Sequence, residues 1–148
     1  MSSSIDRRRL LGGALAWSAA LVVPGARAHE IITTTLRVTH PWSRATAPHD
    51  GFAVLCMKFD EVAEDDRLTL VESPVAVSAE MAGSAAGPSI DFLIRAGQET
   101  FLAETQTHVR LIGLKFPLEV GREYPLRLGF AKGGVYNTSF SVDQDRMA

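Results

Sequence analysis

The sequence is poor in the residues that build disulfide frameworks and nucleic-acid interfaces. Cys56 is the only cysteine among 148 residues, so no intramolecular disulfide can form. Because Cys56 lies in the apolar run 52–59, we interpret it as a buried thiol rather than a reactive or metal-binding group. The 15 basic and 17 acidic residues give a net charge of −2, without a basic patch. Nucleic acid is therefore not expected as a partner.

The chain also lacks an apolar run long enough to cross a bilayer, which takes about 20 residues. Its longest apolar stretch, residues 10–23, is interrupted by glycine and serine, follows three arginines, and precedes Ala26-Arg27-Ala28. This order is typical of a signal peptide. We predict that residues 1–28 are removed and that residues 29–148 form one domain in the periplasm, with no membrane insertion after cleavage. The Arg-Arg-Arg-Leu-Leu order is also similar to a twin-arginine signal, so both export routes stay open.

Sustained helical periodicity is missing, and short runs rich in β-branched residues recur between turn signals. This pattern predicts an all-β sandwich or barrel. A hairpin is expected at Lys132-Gly133-Gly134. Trp42 to Gly51 is predicted to be a loop and Asp60 to Asp66 a solvated connection. The expected strands are Ile31–Thr39, Phe52–Phe59, Arg67–Glu72, Val75–Met81, Ser89–Ile94, Thr100–Leu102, a strand opening the segment Thr107–Gly121, Glu123–Ala131 and Val135–Val142.

The segment Thr107–Gly121 carries the sharpest chemical cue, His108. Alternation along a strand places His108 and Arg110 on one face and Val109 and Leu111 on the other. We expect the apolar pair to face the core and His108 to face outward, as a metal ligand or as ordinary surface. His108 has no serine or cysteine nucleophile in a recognisable motif beside it, and the chain shows no phosphate loop or zinc spacing. The sequence therefore does not predict an enzyme.

Taken in order, these pieces resemble the periplasmic copper chaperones of the PCu(A)C family. The resemblance covers nearly all of residues 29–148 and implies a single-domain, cupredoxin-like Greek-key β-sandwich that carries Cu(I). The segments that carry it are His40-Pro41-Trp42-Ser43-Arg44-Ala45-Thr46, Asp66-Arg67-Leu68 with Ser73-Pro74, Ala96-Gly97, His108 with Gly113-Leu114-Lys115 and Pro117-Leu118, Gly121, Leu126, Leu128, Phe130 and the hairpin glycines.

The family's copper ligands are a histidine shortly after a glutamate, one or two methionines, and a late His-x-Met pair. His108 matches the histidine of the late pair, but Arg110 stands where its thioether should be. A guanidinium has no lone pair to give, whereas Cu(I) prefers thioether and imidazole donors. The early histidine position, two residues after Glu80, is Ala82. We interpret the neighbouring Met81 as core packing first and as a replacement ligand second.

Three further histidines are candidates outside this motif. Cleavage before His29 would leave an amino group and an imidazole on one residue, which together can chelate Cu(II). His40 and His49 flank a proline-containing loop and could reach the same metal, although a solvent-exposed loop histidine is the simpler interpretation of each.

The sequence thus favours copper binding or delivery, with His108 as the surviving ligand and His29, Met81 and His40 as weaker candidates. The partner would be a copper-accepting periplasmic or membrane-bound protein. The alternative is a metal-free periplasmic interaction module in which His108 and Arg110 form a polar contact patch.

Overall fold

The computed structural model describes residues 30–145, which form ten β-strands and one turn of 3-10 helix at Gly83–Ala85. The predicted signal peptide and His29 lie outside this part of the chain. No element within it is a helix with the length and apolar character needed to span a membrane. The strands are β1 (Glu30–Ile32), β2 (Arg37–Arg44), β3 (Phe52–Asp60), β4 (Asp66–Glu72), β5 (Ala76–Ala82), β6 (Phe92–Ile94), β7 (Thr100–Leu102), β8 (His108–Leu114), β9 (Glu123–Phe130) and β10 (Gly134–Gln144).

The strands form a curled sheet in the order β5-β8-β3-β2-β10-β9-β4-β6, with β1 beside β2 and β7 beside β3. β3 connects the β5–β8 part of the sheet to the part that contains β2. Residues Phe52 to Leu55 of β3 pair with β8, and later residues of β3 pair with β2 and β7. The pair β2 and β10 is parallel, and the other pairs between the described strands are antiparallel. The all-β sandwich expected from the sequence is confirmed.

Alternation along the strands supplies the core. In β9, Tyr124, Leu126 and Leu128 are buried while the residues between them are exposed. The ring of Phe59 lies 6.1 Å from the rings of both Phe92 and Phe130, measured between centroids. Aromatic pairs at this separation stabilise a core beyond the burial of their area. A chain without disulfides is thus held together by packed side chains.

The predicted strand Ile31–Thr39 is in fact two strands separated by a turn. The hydroxyl of Thr33 accepts hydrogen bonds from the backbone N–H groups of Thr35 and Leu36, at 3.1 and 3.0 Å. Threonine hydroxyls placed this way compete with strand pairing for the backbone. β-branched composition alone therefore overestimated the length of this strand. The predicted strand Ser89–Ile94 was also too long, because only Phe92–Ile94 forms a strand.

The prediction that this strand ends at Thr39 and that a loop begins at Trp42 was also wrong, since β2 continues to Arg44. The β2–β3 register shifts between Thr39 and Trp42, and His40 has a φ of 51°. Such a bulge accommodates Pro41, which has no N–H to donate.

The acidic connection predicted to be solvated has both of its ends buried, since Asp60 is 3% and Asp66 is 2% exposed. Burial alone would raise the pKa of Asp66, but four hydrogen bonds to its carboxylate outweigh burial and lower this pKa. Asp66 thereby connects β4, the β1–β2 turn and the β9–β10 hairpin. The donors are the Thr35 hydroxyl at 2.7 Å and the backbone N–H groups of Arg67 at 2.7 Å, Lys132 at 2.8 Å and Gly133 at 2.9 Å.

Candidate functional site

A cleft of about 680 Å³ opens beside the first half of β8. Its walls come from the end of β2, the following loop and the start of β3, and its remaining residues come from the segment 104–110. We call it the β8 cleft. Its polar lining residues are Arg44, Thr46, His49, Asp50, Glu104, His108 and Arg110.

His108 lines this cleft. The sequence had led us to expect that its side chain faces solvent, but the side chain is buried. Val109 and Leu111 are fully buried in the core, so the predicted alternation holds. His108, on the opposite face, is nevertheless only 7% exposed. The loop between β2 and β3 forms the opposite wall of the cleft. A strand pattern shows which residues share a face, but it does not show what covers that face.

The imidazole of His108 is held in one tautomer. Its Nδ1 lies 2.9 Å from the carbonyl oxygen of Gln106. A carbonyl can only accept, so Nδ1 carries the hydrogen and donates it, and Nε2 of the neutral ring keeps its lone pair. Nε2 is buried and has no hydrogen-bond partner among the described residues. A buried acceptor without a protein partner is rare in folded proteins, so His108 is a candidate ligand position.

The Gln106 carbonyl is itself positioned by the surrounding backbone. A turn holds it, because the N–H of Gln106 donates to Ala103 and the N–H of Ala103 donates to Thr107, both at 3.0 Å. Gly83 packs against the same carbonyl, and a Cβ on Gly83 would lie 2.3 Å from the Gln106 oxygen. Histidines that bind metals usually donate their second N–H to a group fixed in this way. The sequence showed Gly83 only as part of a small-residue loop.

Arg110 shares the cleft with His108, two residues further along β8. Its guanidinium carbon lies 4.5 Å from the centroid of the Phe52 ring, a distance typical of a cation–π contact. Its Nε is buried and lacks a hydrogen-bond partner within residues 30–145. His108 and Arg110 both line the cleft, and each has a buried nitrogen without a hydrogen-bond partner among the described residues.

The register between β5 and β8 determines which β5 residues lie next to His108. Ala82 lies directly opposite His108, and Met81 lies opposite Val109. Directly opposed residues of an antiparallel pair share a face, so Met81 lies on the core side, where it is 2% exposed. The structure thus places a methyl group across from His108 and does not bring Met81 into the cleft.

Of the loop histidines, His49 reaches the β8 cleft and His40 does not. His49 is exposed at the rim, within a turn in which Asp50 accepts a 2.7 Å hydrogen bond from the N–H of Ala47. His40 lies on β2 with its side chain 51% exposed, and its Nε2 is 2.8 Å from a carboxylate oxygen of Asp143. The sequence named both residues but could not fix their positions.

The charges that line the β8 cleft balance. Arg44 and Glu104 pair through two hydrogen bonds, of 2.5 and 3.2 Å. Arg110 and Asp50 add one charge of each sign, so the net charge is zero when both histidines are neutral. Within residues 30–145 no three histidine, cysteine, aspartate or glutamate side chains are grouped so that they could hold a metal ion. The cleft therefore offers one buried imidazole rather than a closed metal cage.

Cys56 lies near the Arg44–Glu104 pair but does not line the cleft. It is 2% exposed, and burial, together with the charge of Glu104, raises the pKa of the thiol to about 12. A thiol in this state is a poor nucleophile and a poor metal ligand. Its burial agrees with the interpretation of Cys56 as a small hydrophobic residue.

Comparison with known proteins identifies relatives by sequence and by fold. The family described as "Putative lipoprotein LpqE-like" matches residues 36–142. No curated protein matches the chain.

Several solved structures match closely in fold. The apo PCuAC domain from PmoF1 is 28% identical with a TM-score of 0.71, and the match covers 78% of this chain and 99% of that domain. The copper-bound PCuAC domain from PmoF2 is 24% identical with a TM-score of 0.70, over 78% and 98%. The solution structure of CuI-DR1885 from Deinococcus radiodurans is 22% identical with a TM-score of 0.61, over 82% and 83%. The cupredoxin-like fold expected from the resemblance is thereby confirmed.

Proposed function

The chain belongs to the LpqE-like family, and from that premise we propose that it is an exported copper-binding or copper-delivery protein with a degenerate PCu(A)C site. The family's description as lipoproteins supports export, and the structural neighbours are PCuAC domains, two of them described as copper-bound or CuI forms. We further propose that residues 1–28 are the export signal and that residues 29–148 act in the periplasm. The copper is cargo to be passed on, so no catalytic role is assigned.

One observation carries this proposal: His108 lines the β8 cleft, the Gln106 carbonyl fixes the orientation of its ring, and its Nε2 has no hydrogen-bond partner among the described residues. Imidazole is a good ligand for copper in either oxidation state. The Nδ1 hydrogen bond meets the usual requirement that an outer group orient the ring. His108 is therefore the principal proposed ligand.

The residues at two other ligand positions of the PCu(A)C family support a degenerate site. Ala82 lies where the early histidine would face His108, and Arg110 lies where the late thioether would be. A site with a single protein ligand leaves coordination positions open. A copper-accepting partner could enter at those positions, as delivery requires. His29, Met81 and His40 remain weaker candidate ligands, and the variants below separate them.

The test is a titration of the processed protein, beginning at His29, with Cu(I) and with Cu(II) against a competing chelator. We expect binding of one copper ion, weakened about tenfold or more by His108→Ala, which corresponds to about 1.4 kcal/mol. His40→Ala tests the weaker candidate on β2, and we expect it to leave the copper affinity of the cleft unchanged because His40 lies outside it. Absence of tight stoichiometric binding of either ion would sink the proposal.

Two further variants locate the site if copper binds. One extra residue before His29 separates its imidazole from the terminal amino group, so loss of binding in that form alone would move the site to the N-terminus. Met81→Leu conserves volume in the core and removes the thioether. Unchanged copper affinity in Met81→Leu is the expected result.

A second candidate function is a metal-free interaction module, favoured by Arg110, which lines the same cleft as His108 and whose Nε has no partner in the part of the chain that the structure describes. Phe52, which is 42% exposed, would add apolar contact area for a protein partner. This alternative gains support only if the titration shows no copper binding while His108→Ala or Arg110→Ala weakens association with an exported protein.

A further inference from the structure

Outside the β8 cleft, a carboxylate orients one exposed imidazole. Nε2 of His40 lies 2.8 Å from Oδ2 of Asp143, and the His40 side chain is 51% exposed. A carboxylate only accepts hydrogen bonds, so Nε2 donates its hydrogen and Nδ1 of the neutral ring keeps a lone pair. Histidines that bind metals commonly have their second nitrogen held by a carboxylate in this way. His40 therefore has the arrangement of a ligand that is oriented before a metal binds.

His40 lies where the strand beside β2 changes. β3 pairs with β2 both before and after His40, so β3 occupies one edge of β2 throughout. β1 pairs with residues 37–39 of β2 and β10 pairs with residues 42–44, so both lie along the other edge. We call His40, Asp143 and the start of β1 the β2 junction. This junction brings one end of the domain's first strand to its last strand.

The start of β1 is directed at His40. In the antiparallel register Glu30 pairs with Thr39, so continuing the register by one residue would pair position 29 with His40. Residues opposed in this way have Cβ atoms about 5 Å apart. His29 lies outside the described residues, but one peptide link, with about 3.8 Å between Cα atoms, joins it to Glu30. The chain connection therefore keeps His29 within reach of the His40 ring.

Removal of residues 1–28 would give the β2 junction three nitrogen donors. The new amino group and the imidazole of His29 can chelate one metal ion, and Nδ1 of His40 adds a third nitrogen. Cu(II) favours tetragonal arrangements of nitrogen and oxygen ligands, and imidazole suits copper. The β8 cleft instead offers one imidazole beside the fixed charge of Arg110. The donor set at the junction therefore fits Cu(II) better than that of the cleft.

The charges around the junction also favour a cation. Arg37 and Lys58, the basic residues on the adjoining strands, both contact Asp60, at 2.6 and 2.9 Å. Arg37 also contacts Glu30 at 3.1 Å. The group in direct contact with the junction imidazole is the carboxylate of Asp143. An anion at one ring nitrogen favours a cation at the other, because opposite charges at this separation attract.

We infer that the amino group and imidazole of His29 bind Cu(II) together with Nδ1 of His40, and that Asp143 positions the His40 ring. This inference rests on the cleavage before His29 that is part of the proposed function, but not on His108. It adds a Cu(II) site to the copper site proposed in the β8 cleft. Signal removal creates the new site, because in the uncleaved chain the nitrogen of His29 is a peptide amide rather than an amine.

The test uses the chain from His29 to Ala148, titrated with Cu(II) against a competing chelator. One tightly bound Cu(II) is expected, with electron paramagnetic resonance showing hyperfine coupling to nitrogen. One alanine placed before His29 removes the chelating amino group, so it should weaken Cu(II) binding about a hundredfold. Mass spectrometry of the exported protein should give His29 as its first residue.

His40→Asn and Asp143→Asn test the described half of the site. Asparagine accommodates the φ of 51° at His40, so this variant removes the imidazole without adding backbone strain. We expect His40→Asn to weaken Cu(II) binding about tenfold or more and to change the nitrogen coupling. Asp143→Asn should weaken binding about tenfold, as expected for a residue that orients a ligand.

His49→Ala is the matched control, because His49 is an exposed histidine that lines the β8 cleft instead. Its Cu(II) affinity and its spectrum should equal those of the wild type. Circular dichroism verifies that each variant is folded. The alanine extension leaves every described residue unchanged, so it decides the matter even if a substitution prevents folding.

The outcomes separate this inference from the site proposed at His108. Cu(II) affinity that the extra alanine leaves unchanged, or an exported chain that begins at another residue, overturns the inference. Unchanged Cu(II) affinity in His40→Asn overturns the role of His40. Loss of Cu(I) binding in His108→Ala with Cu(II) binding retained supports both sites. Failure to bind Cu(I) at His108 overturns the site in the cleft and leaves the β2 junction standing.

Discussion

Ala82 lies directly opposite His108 in the antiparallel pair of β5 and β8. Side chains opposed in this way have Cβ atoms about 5 Å apart, close enough for two histidines to share one metal ion. Ala82 is only 5% exposed. The register thus places a small side chain where a second imidazole could face His108.

Replacing Ala82 by histidine should therefore strengthen copper binding. We expect Ala82→His to raise Cu(I) affinity by about tenfold or more, about 1.4 kcal/mol, measured by competition with a chelator. Ser78→His is the control, because Ser78 lies on the same strand and face but pairs with Ile112, about 13 Å from Ala82. Equal effects of the two substitutions would show that Ala82 is not within reach of the metal.

Gly83→Ala should weaken both the fold and the metal site. Gly83 has a φ of 83°, and its new Cβ would displace the Gln106 carbonyl that orients His108. We expect a loss of about 1–2 kcal/mol from the backbone conformation and a further loss of about 1–3 kcal/mol from the clash. Copper affinity should fall about tenfold, as is usual when an outer partner of a ligand is disturbed.

The control for this prediction is Gly97→Ala. Gly97 has a φ of 72° but nothing within 4 Å of the added Cβ, so it isolates the conformational strain. Urea denaturation of both variants gives the difference due to the clash. If Gly83→Ala loses no more stability than Gly97→Ala and binds copper normally, the Gln106 carbonyl does not control His108.

Asp66→Asn should be strongly destabilising. The amide presents one acceptor oxygen and one NH₂ to a site in which Thr35 and three backbone N–H groups all donate. At least one buried donor then loses its partner, and we expect a loss of about 3 kcal/mol in the free energy of unfolding. Asp91→Asn, which removes an exposed ion pair with Arg67, should change stability by less than about 0.5 kcal/mol. Similar losses in the two variants would contradict the role assigned to Asp66.

Stability should fall with acidification because of Asp60. Hydrogen bonds from Arg37, followed by those from Lys58, outweigh burial and lower the pKa of this carboxyl to about 2, from an ordinary value of 3.8. A lowered folded-state pKa gives stability that is present above the unfolded value and is lost as pH falls through the folded one. The free energy of unfolding should therefore decline between about pH 4 and pH 2.

Asp60→Asn isolates this effect. The variant should be less stable at neutral pH and should show a flatter pH dependence in the same window, measured by urea denaturation at successive pH values. A wild-type profile as flat as that of Asp60→Asn would contradict the assignment. Asp66, whose pKa is also lowered, contributes to the wild-type decline and is unchanged in this variant.

Most of the architecture could be predicted from local pattern, and the errors have local physical causes. β3, β4, β7 and the β9–β10 hairpin were predicted within a few residues, because period-2 alternation and the Gly-Gly turn act over short distances. The predicted strand that contains Thr33 was too long, because the Thr33 hydroxyl forms hydrogen bonds with the nearby backbone. β2 was ended too early because proline was taken as a stop where a bulge tolerates it.

The candidate site was less predictable, because its parts are distant in sequence. The strand pattern identified His108 as a candidate ligand, and the family resemblance identified Ala82 and Arg110 as positions where ligands are replaced. Nothing local predicted that Phe52 would stack on Arg110 or that Gly83 would support the Gln106 carbonyl. These contacts join segments separated by more than twenty residues, so they arise only when the sheet curls over β3.

The sequence by itself determined an all-β fold, the face of β8 shared by His108 and Arg110, and the absence of the thioether and second imidazole. These follow from backbone periodicity and side-chain chemistry. Only the tertiary structure decided that His108 is buried and that Nε2 of His108 and Nε of Arg110 have no hydrogen-bond partner within residues 30–145. Burial and hydrogen bonding depend on what packs across a strand face, which the local sequence of the strand does not show.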